Sequence, residues 1–215
     1  MKNIYKLFAF AAIALMGLSS CAGNGGENSA EAVLNNIHSR KSVRAEAVLN
    51  NIHSRKSVRS FTSQPVSADQ VETLLRAAMA APTGMNVQPW SFVVIQDRAE
   101  LDALAEVLPY AKMLKQSPLA IVVCGETTWR DNENPYWQQD CAAATENLLL
   151  AAEAIGLGAV WTGVYPNENL YPKLHEYLGL PENVQPFCAI PIGYPAGDDQ
   201  PKDKWKPEKI HYGRW

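Results

Sequence analysis

The sequence lacks the short motifs that mark the most common catalytic folds. No GxGxxG opens a helix after a strand and no GxxxxGK[ST] is present, which disfavours Rossmann and P-loop nucleotide binding. HExxH and GxSxG are absent as well, and no pair of acidic residues has an obvious catalytic setting. Long repeat periods of the solenoid kind are missing too. The chemistry of this chain therefore has to be sought outside these classes.

Cysteine is scarce, with four in 215 residues, and one of them, Cys21, directly follows an N-terminal apolar run. Cys124 ends a second apolar run, Cys141 lies in an Ala-rich segment, and Cys188 lies in a third apolar run. None has CxxC spacing or a nearby histidine, so we expect buried packing instead of thiol catalysis. The sequence predicts no metal site.

Charge is also limited, because charged residues make up 19% of the chain and the net charge is −3. The hydrophobic fraction of 47% is typical of a globular protein, and 215 residues suffice for one domain with its own core. A net acidic chain is not expected to bind nucleic acid, so any anion site has to be local.

The N-terminus has the pattern of a targeting segment. Two lysines within the first six residues precede an apolar run over residues 7–18, which is too short to span a bilayer comfortably. The LSSC sequence that ends at Cys21 resembles a bacterial lipobox. We therefore predict a signal peptide over residues 1–20 and lipidation of Cys21. Residues 21–44 are predicted to be a flexible tether, Gly/Asn/Ser-rich over residues 22–29, followed by the first copy of a repeat. An ordinary secretory signal with an incidental cysteine is the alternative.

This signal sets the expected localisation. A lipidated cysteine places the protein in the bacterial cell envelope, with the lipid anchor as its membrane contact. If the start of the reading frame is misassigned, the cytoplasm is expected instead.

Residues 30–44 and 45–59 are identical, and both read AEAVLNNIHSRKSVR. The unit occurs only twice and is too short for a structural module, so a recent tandem duplication explains it best. Only the second copy continues into Ser60 and Phe61 and then into a helix start. We assign this second copy to a domain over residues 45–215. The first copy is expected to be a dispensable extension that could form an extra helix on the tether.

Hydrophobic periodicity within the domain predicts alternating helices and strands. One helix is predicted directly after a capping box at Ser67, and further helices are predicted over residues 45–54, 100–107, 135–155 and 167–178. Strands are predicted over residues 90–96, 119–124, 159–162 and 184–192. The helix over residues 135–155 is apolar on almost every side, so it should be central to the fold or to a subunit contact. The pattern favours an α+β or α/β sandwich.

Two basic clusters lie at opposite ends of this domain. The first consists of Arg55, Lys56, Ser57 and Arg59, and the second of Lys202, Lys204, Lys206 and Lys209, with Arg214 beyond. Taken alone, the first is typical of a solvated turn and the second of a solubilising terminus. Taken together, they suggest that both ends of the domain close on one anion, as a phosphorylated cofactor would require.

Five sequence blocks of the domain occur in the order SRKSVRSF (54–61), APTGMNVQPWSFVVI (81–95), NLLLAAEAIGLGAVWTG (147–163), AIPIGYP (189–195) and KDKWKPEKIHYGRW (202–215). Taken together and in this order, they resemble the FMN-dependent nitroreductases. The resemblance covers residues 45–215. It implies a three-layer α+β sandwich in which helices flank a central, mostly antiparallel sheet. It also implies a homodimer with the long buried helix at the interface and FMN sites between the subunits.

The resemblance assigns residues to the cofactor. The residues that match the FMN phosphate and ribityl positions are Arg55, Lys56, Ser57, Arg59, Lys202 and Lys204. Those that match a loop from the neighbouring subunit are Pro82, Thr83, Gly84, Asn86 and Gln88. Those that match the segment along the flavin ring are Trp161, Thr162 and Gly163. Lys112 lies where relatives have a basic residue at the substrate-binding mouth. Core packing is the alternative role for Trp161, and a turn is the alternative role for Gly84.

The implied activity is hydride transfer from NADH or NADPH to FMN, followed by reduction of nitroaromatics, quinones or other flat acceptors in a ping-pong cycle. No side chain is implied as catalytic, because the flavin carries the chemistry. Two alternatives stay open. One is a lipid-anchored, non-catalytic flavin-binding or scaffold module, and the other is a flavin dehydrogenase that acts on one envelope metabolite.

Overall fold

The computed structural model of the chain describes residues 29–215. The predicted signal peptide, Cys21 and the tether up to residue 28 lie outside the described residues. The chain divides after Ala45 into two units, of which the second is Glu46–Trp215. Among the described residues, no helix is both long and apolar enough to cross a membrane.

Helix α1 (Ser29–Ser54) begins well before the predicted start at residue 45 and includes the whole first copy of the repeat. Neither glycine nor proline occurs between Ser29 and Ser54, so nothing in the sequence ends the helix between the two copies. The first copy of the repeat is therefore helical.

The two copies of RKSVR have different secondary structures. Residues 40–44 are helical, whereas residues 55–59 are not helical and form a β-bridge at Ser57. In the second copy the Val58 amide donates to the carbonyl oxygen of Ala159 at 3.0 Å, and the Val58 side chain is only 1% exposed. A Cβ at Gly158 would lie 2.7 Å from Val58 Cβ, so only glycine allows this approach. These tertiary contacts select the non-helical form over the helix that the same peptide adopts in the first copy.

The second unit is organised around a five-stranded antiparallel sheet. In chain order the described strands are β1 (Trp90–Ile95), β2 (Leu119–Glu126), β3 (Thr128–Trp129), β4 (Asn132–Glu133), β5 (Gly158–Ala159), β6 (Thr162–Gly163) and β7 (Val184–Gly193). The sheet order is β1-β2-β7-β5, with β6 also paired to β7, while β3 and β4 form a separate hairpin. Each pairing is antiparallel.

The strand predicted over residues 159–162 is divided into β5 and β6. Gly158 pairs with Gly193 and Gly163 pairs with Cys188, so both pieces have the same register on β7. The ladder is interrupted opposite Pro191, which accepts a hydrogen bond from Val160 at 3.3 Å but has no amide to donate.

Helices cover both faces of the sheet. They are α2 (Ala68–Met79), α3 (Arg98–Val107), α4 (Trp137–Ala154) and α5 (Tyr171–Leu178). Helices α2 and α4 pack on one face, with a core that includes Leu74, Leu148 and Ile190. Helices α3 and α5 pack on the other, with Leu104, Leu174 and Val122. The predicted three-layer α+β sandwich with a mostly antiparallel sheet is confirmed.

Local side-chain hydrogen bonds set the helix starts. The Ser67 capping box is present, because its hydroxyl accepts from the Gln70 amide while the Gln70 side chain accepts from the Ser67 amide. Helix α3 begins at Arg98, earlier than predicted, because Asp97 caps it. Helix α5 begins at Tyr171 instead of residue 167, because the Asn167 side chain accepts from the Asn169 amide and holds a turn.

Candidate functional site

Strand-like pairing joins the two ends of the domain. The Thr62 amide donates to the Tyr194 carbonyl oxygen and the Ala196 amide donates to the Ser60 carbonyl oxygen, both at 2.9 Å. Ser57 forms a parallel bridge with Ala159 at the edge of the sheet. The chain that leaves β7 is thus held against the chain that follows the second repeat copy, and the two basic clusters are brought to one place.

These segments enclose a cavity of about 590 Å³, here called the basic pocket. It is lined by Arg55, Lys56, Ser57, Arg59, Asp198, Asp199, Gln200, Lys202 and Lys204. Five basic and two acidic side chains give the lining a formal charge of +3 in a chain whose net charge is −3. Guanidinium, ammonium and hydroxyl groups around one cavity are suited to a multiply charged oxyanion such as a phosphate.

Two of the basic residues also contact α4. The Lys56 ammonium lies 3.1 Å from the Glu153 carboxylate, and both side chains are largely buried. Arg55 Nε lies 3.5 Å from Glu146, whose side chain is 49% exposed. The solvated pair with Glu146 competes only weakly with a ligand, whereas the Lys56–Glu153 pair also joins the pocket wall to the helix.

The predicted loop over residues 82–88 has an unusual backbone. Met85, Asn86 and Gln88 have positive φ angles of 50°, 57° and 55°, although none of them is glycine. The Gln88 amide donates to Thr83 Oγ1 at 3.1 Å, and the Gln88 side-chain amide donates to Asn86 Oδ1 at 3.1 Å. The Gly84 amide donates to Asp140 Oδ1 at 2.9 Å, which attaches the loop to the first turns of α4.

Within one chain, the structure does not bring this loop to the basic pocket. The loop is attached to α4 at Asp140, whereas residues of the pocket contact α4 at Glu146 and Glu153, which are 6 and 13 positions further along. At 1.5 Å per residue these contacts are about 9 Å and about 20 Å from the attachment of the loop. The loop therefore lies at the first turn of α4, while the first basic cluster contacts the middle and the last turn of the same helix.

Trp161 immediately precedes β6, which contains Thr162 and Gly163. It lies two positions beyond Ala159, the bridge partner of Ser57, so this segment runs along the same sheet edge as the first basic cluster. The Trp161 ring is partly buried, with its centroid 5.5 Å from that of Phe187. The core contact is thus present, whereas Trp161, Thr162 and Gly163 are not among the residues that line the basic pocket.

Lys112 is placed elsewhere. It lies in a short turn after α3 and lines a separate cavity of about 310 Å³ with Ala105, Glu106, Pro109 and Lys115. A hydrogen bond with Glu106 raises the pKa of Lys115 in this cavity. The structure does not join Lys112 to the basic pocket, and its role at a substrate mouth stays a prediction.

The three cysteines of the domain are buried free thiols. Burial raises the pKa of Cys124 and of Cys188 to about 12 and also raises that of Cys141. They are therefore protonated near neutral pH, as expected for packing residues. Across residues 29–215, no cluster of three His, Cys, Asp or Glu side chains could hold a metal ion.

Three acidic residues near these sites were missed by the sequence reasoning. Asp198 and Asp199 line the basic pocket, and their position just before the Lys202 cluster was the available signal. Asp140 is 5% exposed in the most apolar helix, where a lone carboxylate is unexpected. Each is detectable as a charge in a context that disfavours it.

Comparison with known proteins agrees with this fold. The family model described as "Nitroreductase family" matches residues 52–109 and 105–194. A protein of Archaeoglobus fulgidus, provisionally named an NADH dehydrogenase/NAD(P)H nitroreductase, is 40% identical over 188 residues, which cover 86% of this chain and 99% of that protein.

Solved structures give the same result. A crystal structure from Bacteroides thetaiotaomicron, of a protein with the same provisional name, is 50% identical, with a TM-score of 0.75 over 79% of this chain and 98% of that one. The NADPH:FMN oxidoreductase of Vibrio harveyi, solved with NAD+, is 25% identical, with a TM-score of 0.71 over 79% and 78% of the two chains. On these matches and the architecture above, the chain belongs to the nitroreductase family.

Proposed function

We propose that this protein binds FMN and is an NAD(P)H-dependent oxidoreductase that reduces nitroaromatics, quinones or related flat acceptors. The observation that carries the proposal is the basic pocket, in which both ends of the domain contribute cations to one cavity. Relatives named as NAD(P)H nitroreductases and as NADPH:FMN oxidoreductases support both the cofactor and the electron donor.

The donor set of the pocket fits the phosphate of FMN. A formal charge of +3 compensates a dianion, and the Ser57 hydroxyl adds a hydrogen bond. We assign the phosphate contacts to Arg55, Ser57, Lys202 and Lys204. Lys56 already pairs with Glu153 and would mainly hold the pocket wall on α4. Bound FMN would supply the hydride chemistry, accepting from NADH or NADPH and passing the electrons to the acceptor.

A homodimer is the second element of this proposal. Because no residue of the loop over residues 82–88 lines the basic pocket of its own chain, a second copy is the proposed source of a loop for each pocket. The exposed apolar side chains of Val48, Leu49 and Ile52 on α1 supply apolar surface that such a contact could bury. Analytical ultracentrifugation tests the dimer.

The cellular location is proposed from the N-terminal sequence alone. Cys21, at the end of the LSSC sequence, would carry the lipid and anchor the protein to the bacterial envelope. Mass spectrometry of the membrane-extracted protein tests this, because a lipidated Cys21 would be the N-terminal residue. An unmodified chain that begins at Met1 would contradict it.

The identical repeat offers a matched pair of variants for the cofactor site. Arg55 lies in the basic pocket, while Arg40 occupies the same position of the first copy, in the helical and exposed part of α1. We expect Arg55→Ala to weaken FMN binding about 10- to 100-fold, the range for a lost charged hydrogen bond, and Arg40→Ala to leave it unchanged. Quenching of FMN fluorescence during titration measures both.

Turnover is tested on the same protein. The FMN-loaded wild type should be bleached by NADH or NADPH without oxygen, and menadione or nitrofurazone should restore the flavin spectrum. Failure to take up FMN would refute the proposal. Flavin binding without reduction by either nucleotide would instead identify a non-catalytic flavin-binding module.

A further inference from the structure

We infer that Asp140 is a positioning residue that fixes the conformation of the loop over residues 83–88. The inference concerns the loop that the proposed function places near the cofactor, and to that extent it rests on that function. It goes further because it assigns a role to a residue of α4 that belongs to neither the basic pocket nor the loop.

The Asp140 carboxylate is in a costly environment. It is 5% exposed, and Oδ1 accepts the Gly84 amide at 2.9 Å. Oδ2 is buried and has no hydrogen-bond partner within residues 29–215. Burying a carboxylate with half of its acceptor capacity unused is unfavourable, so packing alone would favour an apolar residue here. The hydrogen bond that Asp140 accepts from the Gly84 amide is the favourable contact that the structure shows at this carboxylate.

The loop needs such an attachment because its backbone is strained. Met85, Asn86 and Gln88 have left-handed φ angles that side-chain-bearing residues rarely adopt. Gly84 itself lies against the Tyr136 ring, where a Cβ would come within 3.2 Å of Tyr136 Cδ2. A strained segment persists only where its surroundings over-determine it, and both contacts come from the start of α4.

The result is an ordered pair of side-chain amides on the surface. The side chains of Asn86 and Gln88 are hydrogen-bonded to each other and exposed to solvent. This bond fixes the directions of their remaining hydrogen-bond donors and acceptors relative to each other. Without Asp140 the loop would relax towards ordinary backbone angles and this pair would lose its geometry. Asp140 thus acts through Gly84, and the amide pair makes any contact with ligand.

The first experiment measures hydrogen exchange of the Gly84 amide by NMR in wild type, Asp140→Ala, Asp140→Asn and Thr145→Val. Asp140→Ala should accelerate this exchange about 10- to 100-fold, as for loss of a charged acceptor. Asp140→Asn keeps an acceptor and should fall in between. Thr145→Val is the matched control: Thr145 is buried in α4 and bonds to Cys141 and Cys188, so Gly84 should exchange as in wild type.

The second experiment measures steady-state kinetics of the FMN-loaded variants. Asp140→Ala should raise KM for the acceptor about tenfold while kcat falls less than about threefold, because the cofactor phosphate site is untouched. Thr145→Val should change neither value.

Each outcome decides a different claim. Wild-type exchange at Gly84 in Asp140→Ala would overturn the inference, and so would an equal acceleration in Thr145→Val, which would show a global effect. Faster Gly84 exchange with an unchanged KM would show that Asp140 stabilises only the loop conformation, and it would overturn a role of Asp140 in the reaction. A wild type that binds no FMN would refute the proposed function, while the exchange measurement would still decide the role of Asp140.

Discussion

The identical repeat gives the fold two peptides that fit one position. In a shifted register, residues 30–44 would occupy the place of residues 45–59, and residues 45–59 would form a loop before Ser60. Because the two copies are identical, each side-chain contact of the second copy can be made again by the first. The remaining difference is closure of a 15-residue loop, which costs about 3 kcal/mol. The shifted register should then hold below about 1% of the wild-type molecules.

Val58→Asp should make this register dominant. Val58 is 1% exposed and lies against Gly158, so a carboxylate there would be buried without a partner. Such a burial costs about 4 kcal/mol or more, which exceeds the cost of closing the loop. The shifted register puts the introduced carboxylate in solvent and Val43 in the core. We therefore expect Val58→Asp to lower the free energy of unfolding by only about 3 kcal/mol.

The matched control is Val43, the equivalent residue of the first copy, which is 63% exposed in α1. Val43→Asp alone should change stability by less than about 0.5 kcal/mol. The double variant has no intact copy and should lose at least about 1 kcal/mol more than Val58→Asp alone, a coupling that urea unfolding resolves. Trypsin should also cut Val58→Asp faster at Arg55 and Arg59. Equal stability of the single and double variants, with unchanged cleavage, would refute the reasoning.

Two further predictions concern buried groups. Iodoacetamide labelling, mapped by mass spectrometry, should modify Cys124, Cys141 and Cys188 only after unfolding. Folding raises the pKa of the Cys124 and Cys188 thiols from 9.0 to about 12. Their contribution to stability is therefore complete below pH 9 and is lost as the pH rises towards 12, at about 1.4 kcal/mol per pH unit for each thiol. A native-state label at any of the three would contradict the burial. For the Lys56–Glu153 pair, Lys56→Met should cost about 2 kcal/mol in thermal or urea unfolding, and adding Glu153→Leu should recover most of it, because the single change leaves a largely buried carboxylate unpaired. No recovery in the double variant would show that the unpaired Glu153 carboxylate is not the cause of the loss.

Much of the fold could be predicted because its signals are local. The Ser67 capping box, the apolar run of β2 and the apolar faces of α4 appear in the sequence in the form that the structure uses. The start of α1 differed most, because no glycine or proline ends the helix between the two copies. The other boundaries that differed depend on single hydrogen bonds, such as the Asp97 cap and the Asn167 turn, or on a proline in a neighbouring strand. Such contacts shift an element by a few residues without changing the layers.

The candidate site was predictable only in part. The residues of both basic clusters could be selected from composition and from the family pattern, but their meeting depends on hydrogen bonds between residues 60–62 and 194–196. The Glu153 partner of Lys56 and the Asp140 attachment of Gly84 are contacts between residues 97 and 56 positions apart. No short-range pattern encodes which carboxylate such a group will meet.

By itself, the sequence determined the types of the elements, the apolar core and the positions that carry charge. It could not determine the conformation of RKSVR, because the same five residues are helical at positions 40–44 and non-helical at positions 55–59. Only the tertiary structure decided between them. In the second copy, Val58 is buried, its amide donates a hydrogen bond to the Ala159 carbonyl oxygen, and Gly158 leaves space for its side chain. These contacts outweigh the helical preference of the peptide and place Arg55 and Ser57 in the basic pocket.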